Sequence, residues 1–305
     1  MRRIDAKELT EDVHWWELAG HHEPESLLNE WRQTHYASQA VAEAGKGWAK
    51  ARDDDSHSNL TWVPDHARLP DQFFASNVTE SGSPTRALLR PWDLKLFVID
   101  AAGAPVGEHD MQGRTVDESI EWLRGELSQH AGEQLQEAKP APDLPDHELG
   151  RDGRFAEPSQ LAVAELIRLY ANTDAALERI AELIDDTDEP RTWPHHFDHA
   201  LLVTHTRENG DATRTIGIGL TPPDSTSDEG YWYVSPWAKD GGADGFDWPT
   251  LDRGEWIDRG GPLRMAALRL GEVTSTEDRA EQQHRFAAFI TQAFNACIGA
   301  LDHGQ

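Results

Sequence analysis

An α+β fold is predicted by three observations. Two stretches of strongly helical apolar period, one following Pro158 and one ending at Leu301, flank a run of alternating apolar residues broken by Asn209-Gly210. An earlier helical period near Trp31 is followed by strand-like alternation at Trp92 to Asp100. Between these two sets, residues 129–157 are polar, carry Pro140, Pro142, Pro145, Gly150 and Gly153, and show no period. The expected organisation is two consecutive units, 23–128 and 158–305, each an antiparallel sheet covered by helices. A linker or long loop at 129–157 joins them and a polar, His-rich leader, 1–22, precedes them.

Glu23-Pro24 opens the first expected helix, with Leu27, Leu28, Trp31, Thr34 or His35, and Ser38 on one face and Gly45 and Gly47 closing it. In Trp92 to Asp100, Leu94, Leu96 and Val98 alternate with Lys95, Phe97 and Ile99 ahead of a turn at Gly103, which suggests a strand covered on both faces. Thr115-Val116-Asp117-Glu118 reads as a capping box, and Ile120, Leu123 and Leu127 follow at helical spacing. Pro158 opens a helix whose apolar face is Leu161, Leu166, Leu169, Tyr170, Leu177, Ile180 and Ile184, stopped by Asp185-Asp186 and Pro190. Ala200 to Thr206 and Thr213 to Leu220 form a hairpin about Asn209-Gly210, and Tyr231-Trp232-Tyr233-Val234 is expected to pair with it. A long C-terminal amphipathic helix carries Phe286, Phe289, Ile290, Phe294, Cys297, Ile298 and Leu301 on one stripe.

The formal charge is −27, and of 28 basic side chains only Lys7, Lys46, Lys50, Lys95, Lys139 and Lys239 are lysines, so 22 are arginines. Such a charge repels itself in dilute buffer and is screened within roughly 3 Å at about 1 M salt. The composition therefore suits a salt-filled cytoplasm; an ordinary acidic surface facing a basic partner is the alternative. Phosphate backbones are repelled, so no nucleic-acid partner is expected. Cys297 is the only cysteine, which excludes an intrachain disulfide and a cysteine-based zinc site. Met1 to Asp5 lack a signal-peptide core, no run approaches the ~20 apolar residues of a membrane span, and a cytoplasmic location is expected.

Trp193-Pro194-His195-His196-Phe197-Asp198-His199-Ala200, then Ile216-Gly217-Ile218-Gly219-Leu220, then Tyr231-Trp232-Tyr233-Val234-Ser235-Pro236-Trp237 form a distinctive combination. In these motifs, and in the order of its elements from about Leu27 to Leu301, the chain resembles the bacterial family known as domain of unknown function 5996. The resemblance implies an organisation of elements and no particular activity, cofactor or partner.

His195, His196, Asp198 and His199 are the densest group of candidate ligands. If the segment is helical, His195 and His199 share a face; if extended, His195, Phe197 and His199 do, with His196 beside Asp198. Neither arrangement supplies the three donors a metal needs without His205, His35 or His14, so a divalent metal is possible but disfavoured. In a competing reading Trp193 and Phe197 are core anchors, His196 bonds backbone and Asp198 holds an imidazole or caps a turn. His14, His21 and His22 read as solvated. Twelve tryptophans, among them Trp193, Trp232, Trp237, Trp248 and Trp256, suit either an aromatic ligand wall or packing. Gly217 and Gly219 let a backbone or ligand approach one sheet face but do not make a phosphate loop. Ser58, Ser235 and Cys297 lack a nucleophile's setting.

The expected function is binding of a small molecule where Trp193, His195, Tyr231, Trp232, Tyr233 and Trp237 meet. In an enzymatic version His196 or His199 is the general base, oriented by Asp198. The alternative is a non-catalytic interaction protein with structural histidines.

Overall fold

The computed structural model describes residues 1–10, 16–21, 24–69, 71–80, 82–135, 144–242 and 244–303. The fold is α+β, with six helices among the described residues and two antiparallel sheets of five and six strands, 38% helix and 24% strand. In chain order the elements are α1 (Ala6–Thr10), α2 (Pro24–Trp48), β1 (Thr61–Val63), β2 (Phe73–Ala75), β3 (Arg86–Arg90), β4 (Lys95–Ile99), β5 (Pro105–Asp110) and α3 (Val116–His130). There follow α4 (Gln160–Leu183), β6 (Arg191–Trp193), β7 (Asp198–Glu208), β8 (Asp211–Thr221), β9 (Tyr231–Ala238), β10 (Glu255–Asp258), β11 (Arg264–Arg269), α5 (Leu270–Thr274) and α6 (Arg279–His303).

Long-range contacts divide the chain into two interleaved units. Unit I holds Met1–Gly20, Arg168–Pro190 and His199–Gln305; unit II holds His21–Ile167 and Arg191–Asp198.

In unit II, β1 to β5 form an antiparallel meander in sequence order. Alternation puts Phe73, Ala75, Leu88, Phe97 and Ile99 into one core cluster, joined by Leu69. Helix α2 packs on β3 and on α3. It continues to Trp48, through the glycines expected to close it, and it is buried on every side from Gln33 to Gly45 rather than along one stripe. Small residues allow this: Ala37, Ala40, Ala42 and Ala44 let neighbours approach closely, and the buried polar side chains His35, Ser38, Gln39 and Glu43 are accommodated among them. The capping box forms as expected: the Thr115 hydroxyl accepts from the Glu118 amide at 3.1 Å and the Glu118 carboxylate accepts from the Thr115 amide at 3.0 Å. Residues 136–143 lie outside the described residues, Pro140 and Pro142 among them; beyond them the chain is held down. Leu149 and Phe155 are buried, and Phe155 exchanges backbone bonds with Gly113 and Arg114 at 2.8 and 2.9 Å.

In unit I the strands lie in the order β10-β11-β9-β8-β7, all antiparallel. Asn209 at φ 52° and Gly210 at φ 94° make the expected hairpin turn, and β9 pairs with β8 from Thr221↔Tyr231 to Arg214↔Ala238. Helix α6 packs on β8, β9 and β11 through its apolar stripe. Leu161, expected on the apolar face of α4, is 76% exposed, while its neighbours Ala162 and Val163 are the buried residues of the first turn; Leu166, Leu169, Tyr170, Leu177 and Ile180 of the expected face are buried. The leader is not a solvated tail: Ile4, Leu9, Trp16 and Ala19 are buried, and Asn295 on α6 bonds both backbone groups of Ile4. Trp16 packs against Trp232 (5.8 Å between ring centres) and Phe286 (5.2 Å). Truncating any of these rings removes roughly 3–5 kcal/mol. Gln282 holds the same corner, accepting from the Trp16 indole and the Ala19 amide and donating to the Ala19 and Thr276 carbonyls.

Candidate functional site

The His-rich motif is divided. Its first part, in unit II, is a tight turn after β6 in which the Phe197 amide donates to the Trp193 carbonyl at 2.7 Å and Phe197 takes φ 57°. The turn places the Pro194 carbonyl against α2, where His35 Nε2 (2.9 Å) and Gln39 Nε2 (2.6 Å) both donate to it. A carbonyl partner requires the Nε2–H tautomer of His35. Burial, outweighing that bond, pushes the His35 imidazole down to about 4, so it is neutral. Its ring stacks on Phe197 at 5.2 Å, and Phe197 also meets Phe74 at 5.1 Å, so Phe197 is a core anchor.

His195 is half-buried between Trp193 (5.8 Å) and His196 (4.4 Å), and His196 itself is exposed. Burial first, then the neighbouring imidazole of His196, lowers the His195 pKa; Lys46 lowers it further, while Asp198 and Asp55 oppose.

The second part lies in unit I. His199 is fully buried, its Nε2 3.0 Å from Asp174 Oδ1 on α4 and its ring 6.0 Å from Tyr170. Burial beside Asp174 and Glu182 raises the Glu178 carboxyl. Trp232 is also fully buried and donates its indole N–H to Thr173 at 2.9 Å, which makes it a core residue. Tyr231 is buried with Met265 and Ala267, donates to Asp224 at 2.9 Å, and has its hydroxyl pushed up to about 12 by burial. Tyr233 packs at the edge of that cluster and lies over Gly217, while Trp237 is 50% exposed. Gly219 serves backbone approach: a Cβ there would sit 2.5 Å from the His199 carbonyl.

His205, also in unit I, is half-buried, 3.1 Å from the Asp302 carboxylate. His14 and His22 lie outside the described residues, and His21 is exposed. Among the described residues no three His, Cys, Asp or Glu side chains form a group that could hold a metal ion. Cys297 is wholly buried, which pushes its thiol up and keeps it protonated. The hydroxyl of buried Ser58 donates to the Asp55 carbonyl, and Ser235 is half-buried on β9.

Unit II contains a cleft of about 230 Å³ that the motif does not announce. One wall is α2, through Tyr36, Gln39, Glu43 and Lys46; the others are the first turn of α3, through Thr115, Val116, Asp117 and Ile120, and the segment from Leu144 to Asp152. Spacing of three and four residues brings the α2 side chains to one line. Glu43 is held by Arg124 at 2.6 Å and Tyr36 donates to the Pro145 carbonyl at 2.8 Å. Lys46 is half-buried, forms no ion pair among the described residues, and has its ammonium pKa lowered by burial against the opposing pull of Glu43 and Asp55. Gln39 is 5% exposed and its side-chain oxygen has no hydrogen-bond partner. A separate open trough of about 390 Å³ runs along α3 beside Trp122, Glu118, Glu121 and Glu126, with His109 stacked on Trp122 at 4.7 Å.

None of the four α2 cleft residues is singled out by a motif. The signal available was the 36/39/43/46 spacing of polar groups in an alanine-rich helix, a pattern that an exposed helix face also produces. Comparisons with models of protein families, with curated proteins and with solved structures found no match.

Proposed function

We propose that the chain is a small-molecule-binding protein whose ligand occupies the cleft between α2, α3 and the segment Leu144 to Asp152. The observation that carries this reading is the lining of the cleft: Lys46, half-buried and in no ion pair among the described residues, stands with Tyr36 and Gln39 on one wall while two further segments close the others. The volume lies just below the range usual for small-molecule sites, so the ligand is a small metabolite. Kinship with the domain of unknown function 5996 family belongs to the same reading, on the motifs at 193–200, 216–220 and 231–237. The His196, Asp198 and His199 set is not needed by it, since His199 is committed to Asp174 and His196 faces solvent.

The test is a metabolite screen by tryptophan fluorescence and thermal shift in molar KCl, on the wild type and on Ile120→Trp, which fills the cleft from α3. Compounds that stabilise the wild type and lose their effect in the variant support the proposal. No active compound, or equal responses in both proteins, defeats it.

A second reading, docking of another protein, is favoured by Trp237 and Leu202, 50% and 41% exposed on the same face of the unit I sheet. Trp237→Ser separates the two, because it leaves ligand binding unchanged if the cleft is the site.

A further inference from the structure

We infer that Lys46 is a reactive amine, and that a small uncharged hydroxyaldehyde entering the cleft condenses with it to form an imine. This rests on the cleft being a ligand site and adds a covalent step to it.

A lysine is a nucleophile only as the free amine, whereas an arginine keeps its charge at every working pH. The chain draws 22 of its 28 basic side chains from arginine, yet the cleft walls carry Lys46, with no arginine among the lining residues described. Its surroundings favour loss of the proton. The side chain is half-buried, which removes part of the water that would solvate an ammonium, and it forms no ion pair among the described residues. Glu43, one turn before it on α2, is bound to Arg124 at 2.6 Å, so that carboxylate is already matched. Glu43 and Asp55 still pull toward the charged form, but burial is the larger influence and the ammonium pKa is lowered. His195, from the turn after β6, feels the Lys46 charge as well and has its own pKa lowered by it.

The other walls select the partner. Asp117 and Asp152 repel a carboxylate or phosphate on the ligand, while they and Thr115 accept hydrogen bonds from hydroxyls. A neutral, hydroxylated carbonyl compound suits this lining, and at about 230 Å³ it has to be small.

The step balances without a cofactor. The Nζ lone pair attacks the aldehyde carbon and the carbonyl π pair passes to oxygen, which takes one proton from the nitrogen to give a carbinolamine. The hydroxyl then leaves with the second N–H proton as water, and the nitrogen lone pair closes the C=N bond. No electron is gained or lost overall.

The test treats the folded chain in molar KCl with glycolaldehyde, using cyanoborohydride to reduce any imine to a stable secondary amine. Peptide mass mapping then reads the added hydroxyethyl group at each lysine. Lys50 and Lys239, both exposed, are internal references. At low aldehyde Lys46 should be modified about tenfold or more faster than either, a small part of what positioning in a site can give. Its rate should level off as the cleft fills, while theirs rise in proportion to aldehyde. Ile120→Trp should abolish the lead of Lys46 and leave the references unchanged. A Lys46 modified no faster than Lys50 and Lys239, or a lead that survives in a folded Ile120→Trp, overturns the assignment. The rate comparison is made within the wild type, so it decides the matter even if the variant fails to fold. A metabolite from the screen that binds the wild type but not Ile120→Trp, together with an unreactive Lys46, removes the covalent step and leaves the binding function standing. Failure of both experiments removes both.

Discussion

Two glycines in one strand should respond oppositely to the same substitution. Gly217 and Gly219 sit two residues apart on β8 and face the same side of the unit I sheet. A Cβ on Gly217 would meet Tyr233 Cε2 at 3.7 Å and the Ser235 carbonyl at 3.8 Å, ordinary contact distances. A Cβ on Gly219 would lie 2.5 Å from the His199 carbonyl oxygen, 2.8 Å from Ala200 Cβ and 3.0 Å from Ala200 Cα. Those are backbone or backbone-fixed atoms of β7, so relief requires moving the strand. Overpacking of this kind costs roughly 1–3 kcal/mol. At Gly217, alanine removes unfolded-state freedom without a clash, a gain of about 0.5–1 kcal/mol. The two variants should therefore differ by about 1.5–4 kcal/mol. In urea unfolding followed by near-ultraviolet circular dichroism in molar KCl, this is a midpoint separation of about 1 M, Gly217→Ala higher. Equal midpoints, or a more stable Gly219→Ala, would refute the reasoning from strand approach.

Acid sensitivity should centre on His35. The unfolded chain takes up its proton near 6.5 and the folded one near 4, so the folded state binds fewer protons between those values. Its contribution, about 3 kcal/mol, is complete above pH 6.5 and is lost as the pH falls toward 4. His35→Phe keeps the stacking on Phe197, and the difference in pH slope between wild type and variant isolates this proton; parallel slopes would contradict it. Gln282→Leu leaves two donors and two carbonyls unmatched around Trp16 and Ala19 and should cost several kcal/mol, roughly 3–5. Thr291→Val, whose hydroxyl bonds only carbonyls of its own helix, should cost about 1 kcal/mol or less by the same urea unfolding; similar losses in both would show that the Gln282 bonds carry no special weight.

Elements held by local chemistry were legible in the sequence. The Thr115 capping box, the Asn209-Gly210 hairpin and the α6 stripe depend on residues a few positions apart, and each appears where its pattern lies; the alternation expected from Trp92 holds only from Lys95, because Pro91–Asp93 form a 3-10 turn that leaves Leu94 at φ 51° outside the strand. The short strands β1, β2 and β6 were not, because three residues cannot display a period. Helix α2 shows a subtler limit: its start and the face of Leu27, Leu28 and Trp31 were readable, but the stretch from Gln33 to Gly45, buried all round among alanine, serine and glutamine, has no apolar stripe to show how far it runs or how deeply it is covered. At the site, the pairing of His195 with His196 follows from sequence neighbourhood. The bonds from His35 and Gln39 to the Pro194 carbonyl span more than 150 residues, and the pairing of His199 with Asp174 joins a strand to a helix. The interleaving of units has the same origin, since residues 191–198 are assigned to unit II by contacts with β1 and α2.

The aromatic corner of unit I also has an optical consequence. Trp16 and Trp232 lie 5.8 Å apart at 46°, and Trp248 and Trp256 lie 4.4 Å apart at 53°. Indole transition moments held that close and oblique exchange excitation with a fixed handedness, so each pair gives a chiral absorption signal that neither ring has alone. The signal depends on packing, not on helix content. A state that keeps its helices but loosens its side chains would lose it while the far-ultraviolet spectrum stayed unchanged. The protein therefore carries two built-in reporters of side-chain order in unit I, readable without a label.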